Sequence, residues 1–336
     1  MAGMIARGEI RGVTSNPSIF MNAIANSSDY DESLKPLGDP ILGAEEVFFR
    51  LAIEDIQAAA DLFLPLYQGS GGADGYVSLE VSPFLADKSA ETLAQAEALW
   101  QRVKRPNLMI KIPATKAGLP AIQAAIAAGI NINVTLIFSR ERYSAVMDAY
   151  LSGLEERSRA GLPLEGIASV ASFFISRVDS HIDPRLQAIG TTNALALAGQ
   201  AAVANARLVY AQFLQVSASE RFARLKAKGA RKQRPLWAST STKNPAYRDV
   251  MYVEELVGAD TVNTMPPQTL AAFLDHGQVR ESIVENLDAA RALFDGLEAL
   301  GISMPQVTAQ LEEEGVKAFA DAFSVLLGVV DKRRKA

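Results

Sequence analysis

Cysteine is absent from this 336-residue sequence. That excludes a disulfide framework, a thiolate metal site and a cysteine nucleophile. Histidine is almost absent too. His181 and His276 stand far apart, which leaves little for a His-rich metal centre or a Ser-His-Asp scheme. No uninterrupted apolar run approaches the roughly 18 residues of a membrane span. The start MAGMIARGEI lacks the apolar stretch of a signal peptide. Basic residues are not in excess. Lys plus Arg is 33 against 38 for Asp plus Glu, a net charge of −5, so neither nucleic acid nor a membrane is expected as partner. A soluble cytoplasmic protein follows as the expectation, and copies of the chain itself are the one protein partner considered.

Hydrophobic residues make up 49 % of the chain and charged residues 21 %, enough for a substantial core. Short apolar runs alternate with longer amphipathic stretches. Strands are predicted at 11–15, 76–82, 108–113, 130–137, 168–175, 235–239 and 261–265. Helices are predicted at 45–67, 89–104, 119–128, 140–160, 193–216, 247–257, 279–300 and 306–330. Strand–helix alternation of this length predicts a single α/β domain of the (β/α)8 TIM-barrel type over 1–336. Extra helices are expected around 179–232, and a closing helix at 303–334. Gly69–Gly75 reads as a flexible loop, Pro40 and Gly43 as the approach to a long helix, and Asp183-Pro184 as a helix break. Thr191–Asn193 reads as an N-cap, and the basic end DKRRKA as a solvated helix terminus.

The strands carry polar residues where a doubly covered parallel strand should be apolar. Residues two apart share a face. Ser78, Glu80 and Ser82 therefore align, as do Asn131, Asn133 and Thr135, Ser172 and Ser176, and Ser239 and Ser241, with Asn263 in the last strand. Most of these lie near C-terminal strand ends, where barrel active sites assemble. Lys111, inside LMIKIP, is the sharpest case. Burying a lysine costs several kcal/mol unless it is paired. Burial favours the neutral amine, which attacks carbonyls and forms a Schiff base without a metal. Glu80, on the preceding strand, could serve as an acid/base for imine chemistry and as charge compensation for Lys111, roles that are not exclusive. Arg177 and Lys243 follow strand ends, as cations for a phosphate would.

The segments GVTSNPSIF (12–20), SLEVSP (78–83), LMIKIPAT (108–115), NINVTLIFS (131–139), SFFISRVD (172–179) and LWASTSTKNPAY (236–247), in this order, resemble transaldolase, and most of all the longer bacterial branch of that family. The resemblance implies a class I aldolase-like barrel that needs no cofactor and acts on sugar phosphates in the pentose phosphate pathway. It implies Lys111 as the Schiff-base lysine, and Glu80 and Thr135 as holders of the catalytic water. Asn16, Asn133 and Ser176 would bind hydroxyls of the dihydroxyacetone unit, and Arg177, Ser239 and Lys243 the phosphate. It also implies an earlier strand bearing an acid/base aspartate. Residues 1–12 contain no aspartate and residues 1–8 read as a helix end, so that strand is expected to be missing from this chain. The leading function is transfer of a dihydroxyacetone unit from a ketose phosphate to an aldose phosphate. The alternatives are a fructose-6-phosphate-type aldolase that releases free dihydroxyacetone, and a truncated, weakly active barrel that binds sugar phosphates.

Overall fold

The computed structural model describes residues 1–35 and 42–335; Pro40 lies outside them. Among the described residues there are seven strands, ordered in the sheet as in the chain. They are β1 (Val13–Thr14), β2 (Val77–Glu80), β3 (Leu108–Pro113), β4 (Ile132–Ile137), β5 (Ser169–Phe174), β6 (Gln233–Ala238) and β7 (Val262–Asn263). Each falls on a predicted run. β1–β2, β2–β3, β5–β6 and β6–β7 pair in parallel. The chain divides into two compact units, residues 1–133 with 315–336, and residues 134–314.

In the first unit no strand precedes Val13 among the described residues; Ala2–Ala6 is a helix, in keeping with the sequence. The Pro17–Asn26 helix, unforeseen, starts at Asn16, whose side chain accepts from the Ile19 N–H at 2.9 Å. The Ala44–Gly69 helix opens on Glu45 and Glu46, carboxylates that favour a helix N-terminus. It ends in the glycine-rich loop, which is tied down. Asp74 pairs with Arg11 at 2.6 Å, and the Gly75 N–H bonds the Arg11 carbonyl at 2.7 Å. Gly75 has φ +85°, and a Cβ there would meet the Tyr67 nitrogen at 2.6 Å, so glycine is required. Phe48 contacts Phe20 at 5.3 Å and Phe323 of the Met304–Arg333 helix at 5.4 Å, both edge to face. The basic end is less solvated than its sequence suggests. Arg333 donates to the Ile24 and Ser27 carbonyls and pairs with Asp31, while Arg334 bonds the Leu42 carbonyl. Ile24 and Ser27 lie at the end of the Pro17–Asn26 helix, where carbonyls run out of intrahelical donors and guanidinium groups can serve them.

In the second unit Phe173 of β5 packs edge to face on Tyr143 and on Trp237 of β6, at 6.3 and 6.4 Å. Asp183-Pro184 is no break. The Ser176–Ile189 helix runs through Pro184. The carbonyl that the proline cannot serve belongs to Ser180, which is exposed to water. The predicted 193–216 helix is two, Thr192–Leu195 and Ala201–Ser217, interrupted around Gly199 at φ +72°. Thr191 caps the first, accepting from Ala194 N–H at 3.2 Å. The predicted 247–257 and 279–300 helices shrink to Met251–Glu254 and Leu287–Ala299. Pro267–His276 is a further helix that sequence reading missed.

Candidate active site

β2 and β3 are wholly buried, and their register sets Glu80 directly opposite Lys111. The Lys111 Nζ donates to Glu80 Oε2 at 3.2 Å and to the Ser15 carbonyl at 2.9 Å. The Phe319 ring of the C-terminal helix lies 5.8 Å from the same nitrogen. The ammonium thus has a carboxylate, a carbonyl and a π-face around it in a buried setting. Burial raises the Glu80 pKa, and Lys111 opposes that rise. A buried carboxyl with a raised pKa is a candidate for passing protons.

Asn133 lies on the same unit's part of β4. Its Nδ2 donates to the Ser78 hydroxyl at 3.1 Å, while the Ser15 hydroxyl bonds the Ser78 carbonyl at 2.8 Å. Ser78 therefore joins the predicted Asn133 to the segment that carries Asn16. Asn16 is half-buried and spends its Oδ1 as a helix cap. With Pro17, Phe20, Glu80 and Phe323 it lines a narrow crevice. Ser82 faces no such network; its hydroxyl is buried without a partner, and its N–H bonds Gln95 at 2.6 Å.

In the second unit Thr135 is buried on β4, next to Leu136 at φ +60°. A leucine in the left-handed region is strained, and strain of this kind gathers at functional sites. Ser176 and Ser239 meet, hydroxyl to hydroxyl at 2.9 Å, and the Ser176 N–H bonds the Ser239 carbonyl at 3.0 Å. Ser239 also has a positive φ, +56°. Arg177, next in the helix, lies over the Phe174 ring at 5.7 Å. Burial lowers its pKa, and Glu314 nearby favours its charge. Lys243 is exposed and bonds Ser241 at 2.6 Å. Among the described residues neither cation forms an ion pair. The geometry thus joins Lys111 to Glu80 and Ser176 to Ser239, and leaves Lys243 on its own loop.

Sequence reasoning missed the Ser15 carbonyl, a backbone group with no signature, and Phe319, which arrives from the far end of the chain. It missed the roles of Asp179 and Asp183 as well. Asp179 is buried in the first turn of the Ser176–Ile189 helix, and its carboxylate accepts from Ala202 N–H and Tyr252 OH, both at 2.8 Å. It serves the start of the Ala201–Ser217 helix and not its own.

The profile of the family described as Transaldolase/Fructose-6-phosphate aldolase matches residues 1–330. The chain belongs to this family. It is 52 % identical over 333 residues to Transaldolase 1 of Streptomyces coelicolor, covering 99 % of this chain and 87 % of that one. It is 51 % identical over 337 residues to the transaldolase of Thermobifida fusca, covering 100 % and 92 %. With that of Mycolicibacterium smegmatis it shares 50 % over 337 residues, covering 99 % and 91 %. Family membership and the parallel strands in chain order agree with the α/β barrel class expected from the sequence. No helix among the described residues is long and apolar enough to cross a membrane, and no group of His, Asp or Glu there could hold a metal.

Proposed function

We propose that the chain is a transaldolase acting through a Schiff base on Lys111. The observation that carries this reading is the buried pairing of Lys111 with Glu80 at 3.2 Å, in a family whose relatives at about half identity bear that name. The Lys111 amine adds to C2 of a ketose phosphate such as fructose 6-phosphate or sedoheptulose 7-phosphate. Glu80, with a water shared with Thr135, protonates the departing C2 oxygen, which leaves as water. The resulting iminium draws the electrons of the C3–C4 bond as the C4 hydroxyl gives its proton to a base. An aldose phosphate leaves, and a three-carbon enamine stays on Lys111. The enamine carbon then attacks the aldehyde of a second aldose phosphate, whose oxygen takes up a proton, and water releases the new ketose.

Asn16, Asn133 and Ser176 hold hydroxyls of the three-carbon unit, and Arg177, Ser239 and Lys243 take the phosphate. The cellular setting in this reading is the cytoplasm, the partners are sugar phosphates, and 1–336 acts as one domain. Borohydride reduction in the presence of fructose 6-phosphate tests the mechanism. A stable adduct on Lys111 is expected, together with little free dihydroxyacetone when no acceptor is added. Absence of the adduct overturns the Schiff base, and rapid release of dihydroxyacetone overturns transfer.

A further inference from the structure

Two aspartates one helical turn apart, Asp179 and Asp183, perform the same task at two levels of the Ser176–Ile189 helix. Each joins a backbone N–H to a tyrosine hydroxyl. Asp179 takes Ala202 N–H and Tyr252 OH, both at 2.8 Å, and Asp183 takes Gly199 N–H at 2.9 Å and Tyr247 OH at 2.6 Å. Gly199 makes room for the upper pair, since a Cβ there would meet the Tyr247 ring at 2.7 Å.

Tyr247 closes the irregular loop after β6. Its N–H bonds the Asn244 carbonyl at 3.1 Å, and Thr242 Oγ1 donates to the Arg248 and Asp249 carbonyls at 3.0 Å, so the loop from Ser241 to Asp249 is knitted to itself. It is fastened to one helix at both ends: at Ser239 by the Ser176 hydroxyl, and at Tyr247 by Asp183. Arg177 sits on that helix between the two fastenings, and Lys243 sits on the loop between them.

We propose that Asp183 and Tyr247 form a latch that positions the Ser239–Tyr247 loop, and Lys243 with it, for the phosphate of the substrate. They are positioning residues and touch no reacting atom. The inference rests on the reading of Arg177, Ser239 and Lys243 as the phosphate pocket. It adds that the pocket's affinity is set by a bond made on the far side of the loop.

Tyr247→Phe removes one hydroxyl and keeps the ring over Gly199. The KM for fructose 6-phosphate should rise roughly 5- to 10-fold, part of the 10- to 100-fold that a direct charge-assisted bond carries. The kcat, and the KM for unphosphorylated fructose, should stay near wild type. Asp183→Ala should behave in the same way. Asp183→Asn, which keeps an acceptor for Gly199 and a donor for the tyrosine oxygen, should restore most of the affinity. Arg177→Ala is measured alongside. If it raises KM for the phosphorylated donor alone while Tyr247→Phe and Asp183→Ala do not, the latch is wrong and the pocket stands. If Arg177→Ala shows no preference for the phosphorylated donor, the pocket reading falls and the latch with it. Equal losses on both donors in Tyr247→Phe also overturn the latch.

Discussion

Lys111 and Glu80 face each other as register partners on adjacent parallel strands, both fully inside, with 3.2 Å between Nζ and Oε2. Neither could be buried alone without a cost of several kcal/mol. The sequence reading allowed Glu80 to pair with Lys111 and to act in catalysis at once, and the geometry shows the pairing. On the proposed mechanism, the same contact that makes burial tolerable puts a proton carrier against the nucleophile.

Lys111→Ala should therefore abolish turnover and the borohydride adduct while the chain still folds. Residual activity should stay below about one per cent, since nothing replaces a lost nucleophile. The variant leaves Glu80 without its counter-charge, so that carboxyl should take up a proton at higher pH than in the wild type. Infrared titration of the carboxyl in both proteins, showing the variant's protonated form persisting to higher pH, would register this. Activity well above that level would remove Lys111 from the covalent step.

Glu80→Gln keeps the shape and removes the titrating group. Imine formation and hydrolysis should slow by roughly 10²- to 10⁴-fold, the range of a lost acid/base. Binding of the phosphorylated substrate should be spared. A variant that loses affinity and keeps its rate would make Glu80 a charge partner and nothing more.

Asp179 predicts how stability follows pH. Burial pushes it from an ordinary 3.8 up to about 7. Between those values the folded chain holds a proton that the unfolded chain has released, so this group makes stability fall as pH rises through the window. Its favourable contribution is whole at low pH and gone above the folded value. Asp179→Asn, which cannot ionise, should gain stability relative to wild type on going from about pH 5 to about pH 8, as read from urea midpoints. A difference that does not change with pH would mean Asp179 titrates normally.

Two glycine substitutions should part company. A Cβ at Gly118 would lie 2.1 Å from the Pro113 carbonyl oxygen, at the end of the strand that carries Lys111. Gly118→Ala should cost roughly 1–3 kcal/mol or more, because backbone must move, and should lower activity through β3. A Cβ at Gly328 meets nothing within 4 Å. Gly328→Ala, inside a helix, should gain about 0.5–1 kcal/mol. Thermal midpoints decide both.

The strands were legible because strands covered on both faces must be nearly all apolar; β3 coincides residue for residue with its predicted run. Lys111 was legible for the same reason, as a charge where none should be. What stayed hidden depends on distant residues. Asn16 was read for binding, although it also caps a helix. The interruption at Gly199 is filled by a tyrosine from a later loop. Asp179 lies in the first turn of its own helix, yet its carboxylate serves the next but one.

Phe319, Phe323 and Arg333 belong to the last stretch of the chain, yet they complete the unit that begins at Met1. During synthesis from the N-terminus, Lys111 and Glu80 must therefore wait for residues 315–335 before their surroundings are whole. Until then the Phe48 ring lacks its edge-to-face partner Phe323, and apolar surface left uncovered during synthesis is what makes unfinished chains prone to aggregate. The intervening 134–314 stretch is a compact unit of its own. Ribosome-stalled chains ending before residue 315 should thus protect β5 and β6 from protease while leaving the Ala44–Gly69 helix open to cleavage.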